Sequence, residues 1–258
     1  MTTQTAFTLE RRMLDLRFRQ ARLTSRAWIT PQYVRLRLEG EELRGFDSPG
    51  ADDHLRLFFA PADASADEVR AAPSREYTPL EWDAEEGTLD IEFVLHGDDG
   101  VAGPWAASAP LGSAVAVGGP RGSMVLEGCP DAWFLAGDET AVPAMRRFAR
   151  SMDADAVGRI LVEVPDAAHE IPIDAPAGVE VRQIHRGEAP AGSALAAALN
   201  ALGAQDRPHG SIFGFVAAEQ AIVRPARALL LDRWGLTTDQ IVAKGYWKSG
   251  ETEYHAPH

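Results

Sequence analysis

Ser74-Arg75-Glu76-Tyr77-Thr78-Pro79-Leu80 is followed by Phe93-Val94-Leu95-His96-Gly97, then by Gly100-Val101-Ala102-Gly103-Pro104-Trp105-Ala106 and Gly119-Pro120-Arg121-Gly122. In an extended segment, residues 75 and 77 share one face and residue 78 takes the other. Arg75 offers a fork of donors suited to a phosphate, and Tyr77 a flat ring suited to an aromatic ligand. Glycines at 100 and 103 let backbone N–H groups come close to an anion, and a helix starting there favours negative charge. An Arg-x-Tyr-Thr element followed one hairpin later by a Gly-rich turn is what a flavin site on a small β-barrel needs. The plain alternative is an exposed strand with an ion pair, then a hairpin loop with a buried tryptophan.

The sequence around this stretch reads as strands. Leu14 to Ala27 and Tyr33 to Glu39 alternate apolar and polar residues, the period of a half-buried strand. His54 to Phe59 and Ala114 to Val117 are further strands, and Glu76 to Trp82 pairs with Thr88 to Leu95. Ala62 to Pro73 reads as a loop with a short helix. Some six short strands with Gly/Pro punctuation predict a closed antiparallel barrel. Beyond Glu127 to Asp131 the rhythm changes. Strands at Ala132–Ala136, Arg159–Val164, Val179–Ile184, Ser211–Ala217 and Asp239–Trp247 alternate with helices at Thr140–Met152, Ser193–Leu202 and Glu219–Trp234. That alternation predicts an open, mostly parallel sheet. The expected domains are 1–129, a barrel, and 130–258, an α/β domain. A ligand of such a sheet sits beyond its carboxyl ends, here Gly137 to Thr140 and Ala217 to Glu219.

Bulk properties narrow the function. A net charge of −13 argues against nucleic acid and means that an anionic ligand needs a local basic patch. The only two lysines, Lys244 and Lys248, flank Gly245-Tyr246-Trp247. No apolar run is long enough to predict a membrane span. The N-terminus lacks the apolar core of a signal peptide. The single Cys129 cannot form an internal disulfide, so a reducing, cytoplasmic setting is expected. Cys129 and the histidines show no metal-ligand spacing. There is no Gly-x-Gly-x-x-Gly and no Walker loop.

Taken together, these motifs resemble those of siderophore-interacting proteins, flavin-dependent ferric-siderophore reductases with a ferredoxin-reductase-like plan. The resemblance also rests on Asp53-His54-x-x-Leu57, on Ala136-Gly137-Asp138-Glu139-Thr140-Ala-x-Pro143 and on Gly245-Tyr246-Trp247-x-x-Gly250. It implies non-covalent FAD. Arg75, Tyr77 and Thr78 would hold the flavin and its phosphates. Val94, Leu95 and His96 would border the ring and ribityl chain, while Gly103, Pro104, Trp105 and Ala106 would wrap the pyrophosphate. It also implies a nicotinamide site at Asp138, Glu139, Thr140 and Glu219, with Arg186 available to a 2′-phosphate.

Asp138 equally reads as a helix N-cap, and the two roles are compatible. Family members commonly carry Arg where this chain has Leu80, which bears on any contact made there. Lys248, Lys244 and Arg121 are candidates for attracting an anionic ferric siderophore; solvated surface charge is the alternative. The expected activity passes electrons from NADPH or NADH through FAD to chelated Fe(III), releasing Fe(II). That step obliges no protein acid or base. A flavin or ferredoxin-coupled oxidoreductase with another acceptor, and a non-catalytic flavin-containing siderophore binder, stay open, as does reduced ferredoxin as donor.

Overall fold

The computed structural model describes residues 6–60, 64–95, 100–251 and 254. They form two compact units, Arg11–Val125 and Met1–Glu10 with Leu126–His258. In chain order the elements up to the second boundary are β1 (Phe7–Met13), β2 (Phe18–Thr30), β3 (Tyr33–Glu39), β4 (Leu55–Phe58), α1 (Ala66–Ala71) and β5 (Ser74–Tyr77). Then come β6 (Pro79–Asp83), β7 (Thr88–Val94), α2 (Ala102–Ser108), β8 (Ala114–Gly118) and β9 (Gly122–Gly128). β1 and β9 pair in a two-stranded ribbon, and both boundaries fall within it.

The other seven strands form one antiparallel sheet in the order β5-β4-β8-β2-β3-β7-β6. β3 shows why. Val34, Leu36 and Leu38 are wholly buried, while Arg35 and Arg37 turn outward and bond Glu92 and Asp90 across the strand pair. The inward set packs with Leu23, Leu55, Leu57, Ile91 and Phe93 in one cluster. Each such side chain contributes about 1.5–3 kcal/mol when buried.

The expected single strand Glu76–Trp82 is broken at its middle. Tyr77 pairs with Leu55 of β4, but Pro79 pairs with Ile91 of β7. Thr78, 8% exposed, is the corner. β5 and β6 are therefore the two edges of the sheet and yet neighbours in the chain, so the sheet curls until its edges meet at Thr78. The barrel is closed there by the chain, and no hydrogen-bond ladder joins β5 to β6. The ladder slips by one residue at Leu80, which is 1% exposed.

The rest of the second unit comprises β10 (Ala132–Asp138), α3 (Val142–Arg150), β11 (Val157–Val164), β12 (Gly178–His185), α4 (Ser193–Ala201), β13 (Ile212–Glu219), α5 (Val223–Arg227) and β14 (Ile241–Trp247). Its sheet is wholly parallel, in the order β12-β11-β10-β13-β14. Every residue of the central β10 is buried, as a strand covered on both faces requires. Gly137 has a steric reason: a Cβ there would lie 2.5 Å from Ala141 Cβ and 2.6 Å from Ala217 O.

The helix expected over Glu219–Trp234 is unbroken from Gln220 to Arg233 but changes type along its length. It comprises a tight turn at Gln220–Ile222, α5, and a π-helical turn at Ala228–Arg233. That turn delivers Arg233 to the carbonyls of Leu199, Asn200 and Leu202, the otherwise unsatisfied C-terminal end of α4. Among the described residues no helix is long and apolar enough to cross a membrane.

Candidate functional site

In the first unit, the corner at Thr78 gathers the residues singled out for a flavin. Tyr77 is half-buried, and its ring lies 4.2 Å from that of Phe93, centroid to centroid. Phe93 in turn stands 6.5 Å from Trp105 of α2, and Trp105 stands 5.3 Å from Phe59. Phe59, Tyr77, Leu95 and Trp105 are only partly buried against the core. They make an aromatic wall with remaining exposed surface. Burial pushes the Tyr77 phenol well above the usual tyrosine range, with Arg75 opposing, so the phenol stays protonated. Arg75, part-buried at the edge of the wall, donates from Nη1 to Ser74 O at 2.8 Å.

The Gly-rich turn leaves room. Gly100 adopts φ +92, a conformation that favours glycine, and a Cβ there would touch nothing within 4 Å. A Cβ on Gly103 would meet only Leu95, at 3.8 Å. The protein's own packing therefore does not require glycine at 103; an approaching ligand would. An aromatic wall, an arginine and open glycine backbone fit a flavin nucleotide in chemistry.

One expected residue is placed differently from the rest. Ala106 is wholly buried, and its carbonyl accepts from Arg26 Nε at 2.7 Å. Arg26 Nη2 also donates to Ala109 O at 2.6 Å, so Arg26 of β2 clamps the end of α2. No sequence signal marks it, because it occupies an ordinary polar position of β2. His96 lies outside the described residues. Val94 ends β7, and Leu95, the next residue, packs against the barrel core.

In the second unit, all five residues singled out for a nicotinamide meet at the carboxyl ends of the strands. Asp138 is wholly buried. Its Oδ1 accepts from Thr140 N and Thr140 Oγ1, at 3.0 and 2.5 Å. Its Oδ2 accepts from Glu219 N at 3.1 Å and from Trp247 Nε1 at 2.8 Å. The N-cap reading holds, and the same carboxylate also ties β10 to β13 and β14. Glu219 caps the next turn, accepting from Ala221 N at 2.6 Å.

Glu139 and Arg186 form an ion pair, Nη1 to Oε1 at 2.9 Å, with 8% and 11% of their side chains exposed. Burial, then the neighbouring Asp138, pushes the Glu139 carboxyl up, and Arg186 opposes this. Glu163 was missed. It interrupts the apolar run Ile160-Leu161-Val162, and a charged residue inside a buried strand is the signal that could have found it. Its Oε1 accepts from Gly192 N and its Oε2 from Leu195 N, so it satisfies the start of α4.

Of the residues suggested for an iron chelate, Lys244 lies in β14 and Lys248 just beyond it, while Arg121 belongs to the first unit. Lys248 is exposed and paired with Glu251, which raises its pKa. Among the described residues no group of three or more His, Cys, Asp or Glu could hold a metal ion.

Comparison with known proteins bears on both units. Residues 22–124 match the model of a siderophore-interacting FAD-binding domain, and residues 130–250 that of a siderophore-interacting protein. The ferric vibriobactin reductase ViuB of Vibrio cholerae is 32% identical over 247 residues, covering 88% of this chain and 89% of that protein. The NADPH-dependent ferric-chelate reductase of Escherichia coli is 39% identical over 145 residues, 52% of this chain and 56% of that protein. The crystal structure of a siderophore utilization protein from T. fusca superposes with a TM-score of 0.84 at 32% identity, covering 96% of this chain and 98% of that one.

Proposed function

The chain belongs to the siderophore-interacting protein family, and from that membership we propose that it is an FAD-dependent NAD(P)H:ferric-siderophore oxidoreductase. The observation that carries the reading is the partly exposed aromatic wall of Phe59, Tyr77 and Trp105, with Arg75 and the open Gly100–Gly103 turn beside it. When bound, FAD supplies the change from a two-electron donor to the single electrons that Fe(III) accepts.

The protein's part is to bind and orient. Tyr77 covers the flavin ring, Arg75 and Thr78 meet its phosphates, and Val94, Leu95 and His96 border it. Gly103, Pro104 and Trp105 bring backbone to the pyrophosphate. Ala106 acts indirectly, through the carbonyl by which Arg26 holds α2. Asp138, Thr140 and Glu219 shape the nicotinamide site. The name of the E. coli relative supports a nicotinamide donor, and that of the V. cholerae relative a ferric siderophore as substrate. Iron arrives in its chelator and leaves as Fe(II), which hard oxygen ligands hold less tightly. A single cysteine fits a reducing, cytoplasmic setting.

Titration of the purified protein with FAD, followed by flavin fluorescence, tests the reading: saturable quenching is expected, and a protein that takes up no FAD would refute it. Arg26→Ala should weaken FAD about tenfold by freeing two carbonyls at the end of α2. An unchanged affinity would show that the clamp does not shape the site. Lys248→Ala should raise KM for an anionic ferric chelate about two- to fivefold, and less for a neutral one. Equal effects on both chelates would remove Lys248 from the substrate path.

A further inference from the structure

Between residues 11 and 26 this acidic chain reverses sign: six arginines stand against one acid, Asp15. Arg19 is the exception among them. It faces the barrel interior, in step with Ala21 and Leu23, and is 7% exposed. Its Nη1 donates to Gly119 O at 2.9 Å, and its Cζ lies 5.3 Å from the centre of the Phe46 ring. Neither contact neutralises the charge. Nε and Nη2 meet no acceptor among the described residues, and neither is sealed from solvent.

The charged neighbour of Arg19 is a second arginine. Arg17 O accepts from Gly119 N at 3.0 Å, which extends the β2–β8 pairing by one residue and sets Arg17 on the same side as Arg19. Burial, and then Arg17, holds the Arg19 guanidinium below the usual arginine pKa, with no carboxylate opposing. Arg17 is exposed, and no acid among the described residues forms an ion pair with either guanidinium, Asp15 included. A buried charge is ordinarily paired. Two like charges side by side, one of them buried, reverse that rule and leave the place short of negative charge.

We propose that Arg17 and Arg19 form a binding site for a doubly charged oxyanion, a phosphoryl group, set against the Gly119 turn. A dianion meets both guanidiniums, whereas a carboxylate would leave one unmatched. Arginine forks also suit phosphate oxygens. Along one row of paired strands, Val117 and Leu57 stand between Arg19 and Arg75. The site is therefore separate from the place given to the flavin phosphates.

Calorimetric titration of the full chain with inorganic phosphate, glycerol 1-phosphate and acetate, at constant pH and ionic strength, tests the site. Wild type should bind one phosphate per chain, and acetate about tenfold or more weakly. Arg17→Met and Arg19→Met should each weaken phosphate about tenfold or more. Arg17→Met changes an exposed residue, so it decides the matter if the buried Arg19 variant does not fold. Tighter glycerol 1-phosphate would identify a phosphate ester as the occupant, and tighter inorganic phosphate the free ion; either order supports the site. Saturating FAD should leave phosphate affinity unchanged. No phosphate binding to wild type, acetate bound as tightly, unchanged affinity in either folded variant, or displacement of phosphate by FAD would overturn the proposal.

Discussion

The Arg75→Ala/Tyr77→Ala protein is expected to purify colourless and to bind added FAD at least about 100-fold more weakly than wild type. Losing an aromatic ring that stacks on a planar ligand costs about 1–3 kcal/mol. Losing charge-assisted hydrogen bonds from an arginine costs about 1.5–3 kcal/mol. The two contacts sit two residues apart on one strand, so coupling between them can make the sum inexact. Tyr77→Phe separates ring from hydroxyl: it keeps the contact with Phe93 and should leave FAD affinity within about threefold, since only a neutral hydroxyl is removed. Equilibrium titration with FAD reads all of these. Tyr77 also covers part of the barrel core, so circular dichroism at the titration temperature must show the variants folded. A double variant that binds FAD like wild type would remove the site from this wall.

Asp138→Ala is expected to be the most destabilising single change in the second unit. The carboxylate is wholly buried and accepts from two backbone N–H groups, a hydroxyl and an indole. Its removal strands those donors away from water, and about 3–5 kcal/mol is the expected loss. Asp138→Asn should recover part of that, because its single carbonyl oxygen serves one side of the knot and its amide cannot accept. Urea unfolding followed by the fluorescence of Trp133 and Trp234 measures the change. An unfolding free energy within about 1 kcal/mol of wild type would mean that the three strand ends are held by their backbone ladders alone.

The two variants probe features that were unequally legible in the sequence. Alternation gave β3 its observed bounds, Tyr33–Glu39, because its inward and outward residues differ cleanly in polarity. The buried run at Ala132 identified the central parallel strand, since only a strand covered on both faces can be apolar throughout. The break at Thr78 was not legible: alternation reports which face a side chain takes, not which strand lies beside it. β1 and β9 were missed because their outer residues are charged or exposed and their pairing spans the chain. Arg186 pairs with Glu139, 47 residues away, a distance over which composition and spacing carry no information. Asp138 was legible as a cap from its local turn, but not as the acceptor for Trp247, 109 residues on.

The central claim is that this protein, with FAD bound, moves electrons from a nicotinamide to chelated iron. The most direct measurement is anaerobic turnover of the FAD-reconstituted protein with NADH or NADPH, a ferric siderophore and a chromogenic Fe(II) trap. The account predicts trapped Fe(II) at about two per nicotinamide oxidised, dependent on both protein and FAD. Fe(II) formation no faster than in the protein-free control, with either donor, would contradict it.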